Sequence, residues 1–310
     1  MTESTLEDAL FDESTNEAIR SALPDSAITF FELITHLGDG ATLVVLATLL
    51  YWFGAESRQR KRALVIAIGV GALAISAGMK GIFVRPRPEL AFAPTNYPGY
   101  SFPSAHALGS AAFYGALAAV AETGTRRQRY AIAGTIVGLV AFSRVVIGVH
   151  YLGDVVAGVA IGLLFVALVI RDDDPEPGFV FALAGVIAVG SFVLGSTEYT
   201  TLTIGASVGA TLAWSVVDGH PVRPRGASIL LLAYLCLPIV IALRAVSFLW
   251  GLHWGIEIIG YAAATGAIIL VPVVAERLNN WPPVEWLQSR LPFTGRTIDP
   301  KRLSSADVEE

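Results

Sequence analysis

Nine apolar runs, each near the length that crosses a bilayer, constrain this chain more than any other feature. A helix rising about 1.5 Å per residue needs about 20 apolar residues to cross a hydrocarbon core of about 30 Å. Such runs lie near 28–53, 63–84, 104–121, 130–149, 152–170, 179–194, 202–217, 228–250 and 255–275. Backbone polar groups in lipid must be satisfied within their own segment, so the runs predict helices. Charged residues make up only 15% of the chain, against roughly 25% in soluble proteins. The predicted fold class is all-α: a polytopic membrane protein with about nine transmembrane helices. Runs 179–194 and 202–217 are short and rich in glycine. The first run is broken by Glu32, His36 and Asp39, so its start is expected to lie along the interface before dipping inward.

Four regions follow. Residues 1–27 form a polar, acidic segment in which seven carboxylates face Arg20 alone, and a loose or disordered segment is expected there. It carries neither a basic stretch nor a short apolar core of the secretory-signal kind. Residues 28–170 carry the chemistry described below, residues 171–275 add four helices, and residues 276–310 form a tail. In the tail, 283–293 carries Trp286, Leu287, Leu291 and Phe293 beside Glu285 and Arg290. It reads either as a surface amphipathic helix or as disordered chain. The single Cys236 sits in an apolar run and excludes an intrachain disulfide.

Basic loops stay in the cytoplasm. Arg58, Arg60, Lys61 and Arg62 follow the first run, Arg126, Arg127 and Arg129 the third, and Arg223 and Arg225 the seventh; Arg277 and Arg290 lie in the tail. All fall on one side if nine spans alternate. The expected localisation is the cell membrane, with the N-terminus outside and the C-terminus cytoplasmic.

Polar groups at span ends are costly and mark function by default. On this topology Lys80 ends the second span, Arg85 and Arg87 follow it, Ser104 and His106 open the third, Ser143 and Arg144 end the fourth, and His150 and Asp154 open the fifth. All reach the outer face. Lys80, Arg87 and Arg144 against Asp154 leave an excess of positive charge suited to a dianion, with arginine forks matching phosphate oxygens. Pro103 and Ser104 read as a helix start whose free N–H groups favour an anion. His150 and Asp154, four apart, share one helical face. A carboxylate there fixes the imidazole tautomer and suits His150 to be a nucleophile. Two histidines and one aspartate are also the elements of a zinc site, which three neighbouring cations would repel. Each residue has a plainer reading too: Lys80 and Arg87 as headgroup anchors, Arg144 as a structural partner of Asp154, and His106 and His150 as satisfied helix-end histidines.

The pattern resembles the type-2 phosphatidic acid phosphatase superfamily, which shares its site with vanadium haloperoxidases. Three family motifs occur in order: Lys80-Gly-Ile-Phe-Val-Arg-Pro-Arg87-Pro88, Pro103-Ser104-Ala105-His106, and Ser143-Arg144, five residues, His150, three residues, Asp154. The resemblance covers about 28–170 and implies a five- or six-helix phosphatase core. Ala105 stands where the family has glycine; a backbone needing φ > 0 would be strained by it, whereas a need for smallness alone would be met. The resemblance implies that His150 attacks phosphorus to form a phosphohistidine, that Asp154 orients it, and that His106 protonates the leaving oxygen and then activates water. It assigns Lys80, Arg87, Ser104, Ala105 (through its N–H) and Arg144 to the phosphoryl oxygens. No metal or organic cofactor is expected. The implied substrate is a membrane lipid, a phosphatidate-type phosphate or a polyprenyl diphosphate, hydrolysed at the outer face; no nucleic-acid partner is expected. A lipid or sugar phosphotransferase using the same site, or a lipid transporter built on the extra helices, is the alternative.

Three further residues are candidates beside the substrate. His36 lies four after Glu32, as a helical pair or a substrate neighbour. Arg244 and Glu257 fall in one outer layer, and an ion pair is expected between them, either as a clamp or with Arg244 reaching a headgroup. Arg85 reads as a surface cation.

Overall fold

The computed structural model describes residues 10–54, 59–90, 92–94, 97–171, 175–197, 199–217, 226–250 and 253–291; within 226–250 the side chains of 236, 237, 239–241, 243, 244 and 247–250 lie outside the description. Most of the described residues are helical, and none is in a strand. The order is α1 (Glu13–Ser21), α2 (Asp25–Ile34), a 3₁₀ turn (Thr35–Gly38), α3 (Gly40–Phe53), α4 (Gln59–Phe83), α5 (Ala105–Val120), α6 (Arg126–Val146), α7 (Leu152–Val169), α8 (Pro177–Leu194), α9 (Thr200–Val217), α10 (Gly226–Trp250), α11 (Trp254–Arg277) and α12 (Pro282–Arg290).

All nine predicted runs are occupied by helix. Six helices (α4, α6, α7, α8, α9 and α11) are long and apolar enough to cross a membrane alone, and α2–α3 make a seventh span bent by 53°. The 16 residues of α5 fall short of that length. Lipid solvation shows in the exposure of Val193, Val186 and Ile259 on their outward faces. Several helix starts are capped: Thr125 and Gln128 form a capping box on α6, and Glu176 accepts from Gly178 and Phe179 N–H at the start of α8, with Pro177 in its first turn.

Close helix contacts are made by small residues, as expected where lipid is as apolar as leucine. Gly158 and Gly162 of α7 lie against α5, where an added Cβ would stand 2.8 Å from Ser104 O and 2.6 Å from Leu108 O respectively. Gly205 and Gly209 of α9 press likewise on the backbone of α11 around Ile258 and Ala262. Pro272 inside α11 removes the N–H that would bond Ile268 O. Trp52 Nε1 donates to that carbonyl at 2.8 Å and Tyr51 Oη to Ile269 O at 3.1 Å, tying the first span to the last. The Trp52 donor satisfies the carbonyl that the proline leaves open.

Two expectations are corrected. The acidic N-terminal segment is not loose over its described part. Asn16, fully buried, donates to Val145 O at 2.9 Å and His150 O at 3.0 Å, and Arg20 donates to Val146 O. Phe11 packs on Gly153 and beneath the Arg85 guanidinium, 3.7 Å from its ring centre. Composition favoured disorder because it weighs charge, whereas these few buried contacts do the docking. Arg85 is therefore a partner of this segment and not a bare surface cation. The tail segment forms α12, with Val284 buried and Trp286 exposed.

Gly158→Val is expected to overpack the α5–α7 seam and cost about 1–3 kcal/mol, read as a lower Tm in detergent. Gly134→Val on α6, where nothing lies within 4 Å of an added Cβ, is expected to leave Tm nearly unchanged.

Candidate active site

The seam between α5 and α7 brings two helix N-termini together. Ser104, N-cap of α5, accepts from Ala107 N–H at 3.4 Å, and its own N–H donates to Asp154 O at 3.1 Å. Ala105 is the first residue of α5, and Val84 alone among the described non-glycine residues has positive φ. Position 105 therefore lies outside the left-handed region, and alanine is unstrained there.

His150 sits in the turn between α6 and α7. Gly148 makes that turn with φ +82°, and an added Cβ would meet Phe92 and Leu90, so the turn requires glycine. The buried His150 places Nδ1 3.3 Å from Asp154 Oδ2. That oxygen also accepts from Tyr151 N–H at 3.0 Å and from the hydroxyl of the buried Ser101. On the other side of the ring, Arg87 Nη1 lies 3.1 Å from Nε2. A guanidinium only donates, so Nε2 carries the lone pair and Nδ1 the proton, directed at Asp154. Burial, then the charges of Arg87, Arg144 and Lys80, push this imidazole well below its ordinary value of 6.5. The result is a neutral ring with an available Nε2 amid cations.

The three cations are held in place. Arg87 donates to Val149 O at 2.7 Å, Gly99 O at 3.0 Å and Pro98 O at 3.1 Å. The buried Lys80 donates to Tyr100 O. Arg144, also buried, donates to Thr35 Oγ1 at 2.6 Å and Tyr97 Oη at 2.8 Å, while its Nε is buried without a partner. Tyr97 also lies under Arg87, 4.6 Å from ring centre to guanidinium. Arg144 makes no ion pair with Asp154, so that plainer reading is set aside.

His106 Nε2 meets Asp39 Oδ1 at 2.6 Å, and His36 Nδ1 meets Asp39 Oδ2 at 2.7 Å. The expected Glu32–His36 helical pair is replaced by this contact, because the chain tightens to a 3₁₀ turn at Thr35–Gly38 and brings residues three apart together. Glu257 accepts from Thr201 Oγ1 at 2.8 Å, which ties the start of α11 to the start of α9. The Arg244 side chain lies outside the described residues, as does that of Cys236. Among the described residues no three His, Cys, Asp or Glu side chains gather as a metal site.

The structure thus gathers Lys80, Arg87, Ser104, His106, Arg144, His150 and Asp154 at one end of the bundle. Sequence reasoning missed Ser101, Tyr97, Thr35, Asn16 and the role of Asp39. Ser101 stands two residues before the Pro103-Ser104 motif; the others come from segments without motif spacing.

Fold and site define a polytopic helical membrane protein with a cluster of cations around a histidine–aspartate pair. The PAP2 superfamily profile matches residues 60–175. The chain is 32% identical over 145 residues to phosphatidylglycerophosphatase B of Bacillus subtilis, covering 44% of this chain and 70% of that protein. It is 32% identical over 160 residues to decaprenylphosphoryl-5-phosphoribose phosphatase of Mycobacterium tuberculosis, covering 49% of this chain and 85% of that protein. Lipid A 1-phosphatase of Rhizobium johnstonii is 29% identical, with 43% of this chain and 63% of that protein covered, so the chain spans less than two thirds of that relative. A crystal structure of a PAP2-type phosphatidylglycerolphosphate phosphatase from Bacillus subtilis aligns at 27% identity with a TM-score of 0.47, covering 56% of this chain and 87% of that one. The chain belongs to the PAP2 superfamily, and this places it among integral membrane hydrolases of phosphate esters.

The His150 ring is expected to stay neutral from about pH 8 to below its ordinary value of 6.5, because a lowered pKa delays protonation as pH falls. Ring-nitrogen NMR shifts of labelled His150 check this; a protonation midpoint at or above 6.5 would contradict it.

Proposed function

We propose that the protein hydrolyses a lipid phosphate or an isoprenoid diphosphate through a phosphohistidine on His150. The observation that carries this reading is the Nε2 lone pair of a buried histidine, oriented by Asp154 at 3.3 Å and ringed by arginine and lysine donors. The buried, unpartnered Nε of Arg144 supports it: a donor without an acceptor is what an arriving phosphoryl oxygen satisfies.

The chemistry follows from these groups. Nε2 of His150 attacks phosphorus while the ester oxygen leaves with a proton from His106. Arg87 transfers its N–H from Nε2 and nearby carbonyls to the phosphoryl oxygens. Lys80, Arg144, the Ser104 hydroxyl and the first N–H groups of α5 stabilise the developing charge. Asp154 holds the proton-bearing Nδ1 and compensates the charge that forms on the ring. Water then attacks the phosphohistidine, giving its proton to His106, and inorganic phosphate leaves. Ala105 contributes through its backbone alone.

The substrate class accords with the activities for which the relatives are named, which are phosphatases of phosphorylated lipids. The reading puts the site at the outer face, with the basic loops in the cytoplasm. Lys61 of the first basic loop bonds Glu122 at 2.7 Å, beside the second basic stretch, at the end of the bundle remote from His150.

Detergent-solubilised protein is expected to release phosphate from at least one of phosphatidate, phosphatidylglycerophosphate and polyprenyl diphosphate. His150→Ala should lower that rate by at least about a thousand-fold. Undiminished turnover in the variant would remove the nucleophile. In intact cells, with Cys236→Ala as background, Ser21→Cys should react with a membrane-impermeant maleimide and Thr125→Cys should not; the reverse pattern would invert the orientation.

A further inference from the structure

The first span bends at 35–39, and the bend lies against the site. Asp39 occupies the N-cap position of α3 yet makes no side-chain cap there. An aspartate at that position ordinarily accepts a helix N–H. Here the carboxylate turns across the bundle instead, with Oδ1 2.6 Å from His106 Nε2 and Oδ2 2.7 Å from His36 Nδ1. The backbone comes close enough because residue 38 is glycine: an added Cβ would stand 3.4 Å from the His106 side chain and collide with Val140. Tyr114 Oη bonds Leu37 O at 3.0 Å, and the Arg144–Thr35 bond fixes the start of the turn.

We propose that Asp39 is a positioning residue for His106, the second histidine–carboxylate pair of the site. The inference rests on the phosphatase reading above. By accepting from Nε2–H, Asp39 directs the other ring nitrogen, Nδ1, toward the reacting oxygen. It also stabilises the imidazolium that must form before His106 can protonate an alkoxide, its Oδ1 lying 2.6 Å from Nε2. As the bond from His150 Nε2 to phosphorus forms and the ester P–O bond breaks, the Nδ1 proton passes to the departing lipid oxygen. As water's oxygen bonds phosphorus and the P–N bond breaks, a water proton returns to Nδ1. Asp39 keeps its charge throughout. His36, largely exposed, holds the second carboxylate oxygen. The two carboxylates thus have parallel tasks: Asp154 aims Nε2 of the nucleophile, and Asp39 aims Nδ1 of the acid.

The test separates leaving groups. First-turnover rates are measured on the full-length protein in detergent with phosphatidate, whose alkoxide needs a proton, and with p-nitrophenyl phosphate, whose phenolate does not. Asp39→Asn is expected to slow the phosphatidate step by about a hundred-fold or more and to leave the burst of nitrophenolate within about threefold. Asp39→Glu should recover part of the loss, and Asp39→Asn should add little to His106→Ala, since both act through one group. Equal slowing on both substrates, full additivity with His106→Ala, or no slowing on phosphatidate overturns the proposal. A wild-type protein that turns over neither substrate counts instead against the phosphatase reading, and Asp39 falls with it.

Discussion

Gly158 and Gly162 let α7 lie directly on the backbone of α5, and the site exists because of that contact. Each helix starts with residues of the proposed chemistry: Ser104 and then His106 on α5, and Asp154 in the first turn of α7. Side chains at the seam would part the two N-termini by ångströms. The Ser104 N–H to Asp154 carbonyl bond closes the contact at its site end. Positive helix ends and fixed cations then share one small volume, into which an anion is the natural occupant. On the proposed reading, an arriving phosphoryl group would offset the cost of crowding positive charge in a membrane protein.

Around that seam, each reactive group is held by elements of separate origin. His150 is aimed by Asp154, Asp154 by Ser101 and the Tyr151 N–H, and the turn carrying His150 by Asn16 from the N-terminal helix. Arg144 is held by Thr35 and Tyr97. The arrangement is preorganised: little side-chain freedom remains to be lost when substrate binds. α8, α9 and α11 complete the bundle, their contacts again set by small residues and by the Trp52 donor that serves the carbonyl freed by Pro272.

Much of this is legible in the sequence for a simple reason. Bilayer thickness fixes span length, so nine helices could be placed from apolar runs alone. Lys80, Arg87, His106, Arg144, His150 and Asp154 sit at the ends of those runs, where parity of crossing decides the face. What stayed hidden depends on tertiary geometry. Asp39 reaches His106 only because the first span breaks into a 3₁₀ turn, and its position in the sequence signals an interruption and nothing more. Ser101 and Tyr97 lie in an irregular loop without a period. Asn16 is one neutral residue in an acidic segment whose composition argued for disorder, yet its two donated bonds pin the turn that carries His150.

The central claim is that an oxyanion binds on His150 Nε2 within the ring of cations. Determining the structure of the protein with orthovanadate tests it most directly, since vanadate adopts the five-coordinate geometry of the phosphoryl group in transfer. The expected result is vanadium bonded to Nε2 of His150, with Lys80, Arg87, Arg144 and Ser104 on its oxygens and His106 at the oxygen opposite. Vanadate bound elsewhere, or no density at His150 in protein that turns over lipid phosphate, would contradict the account.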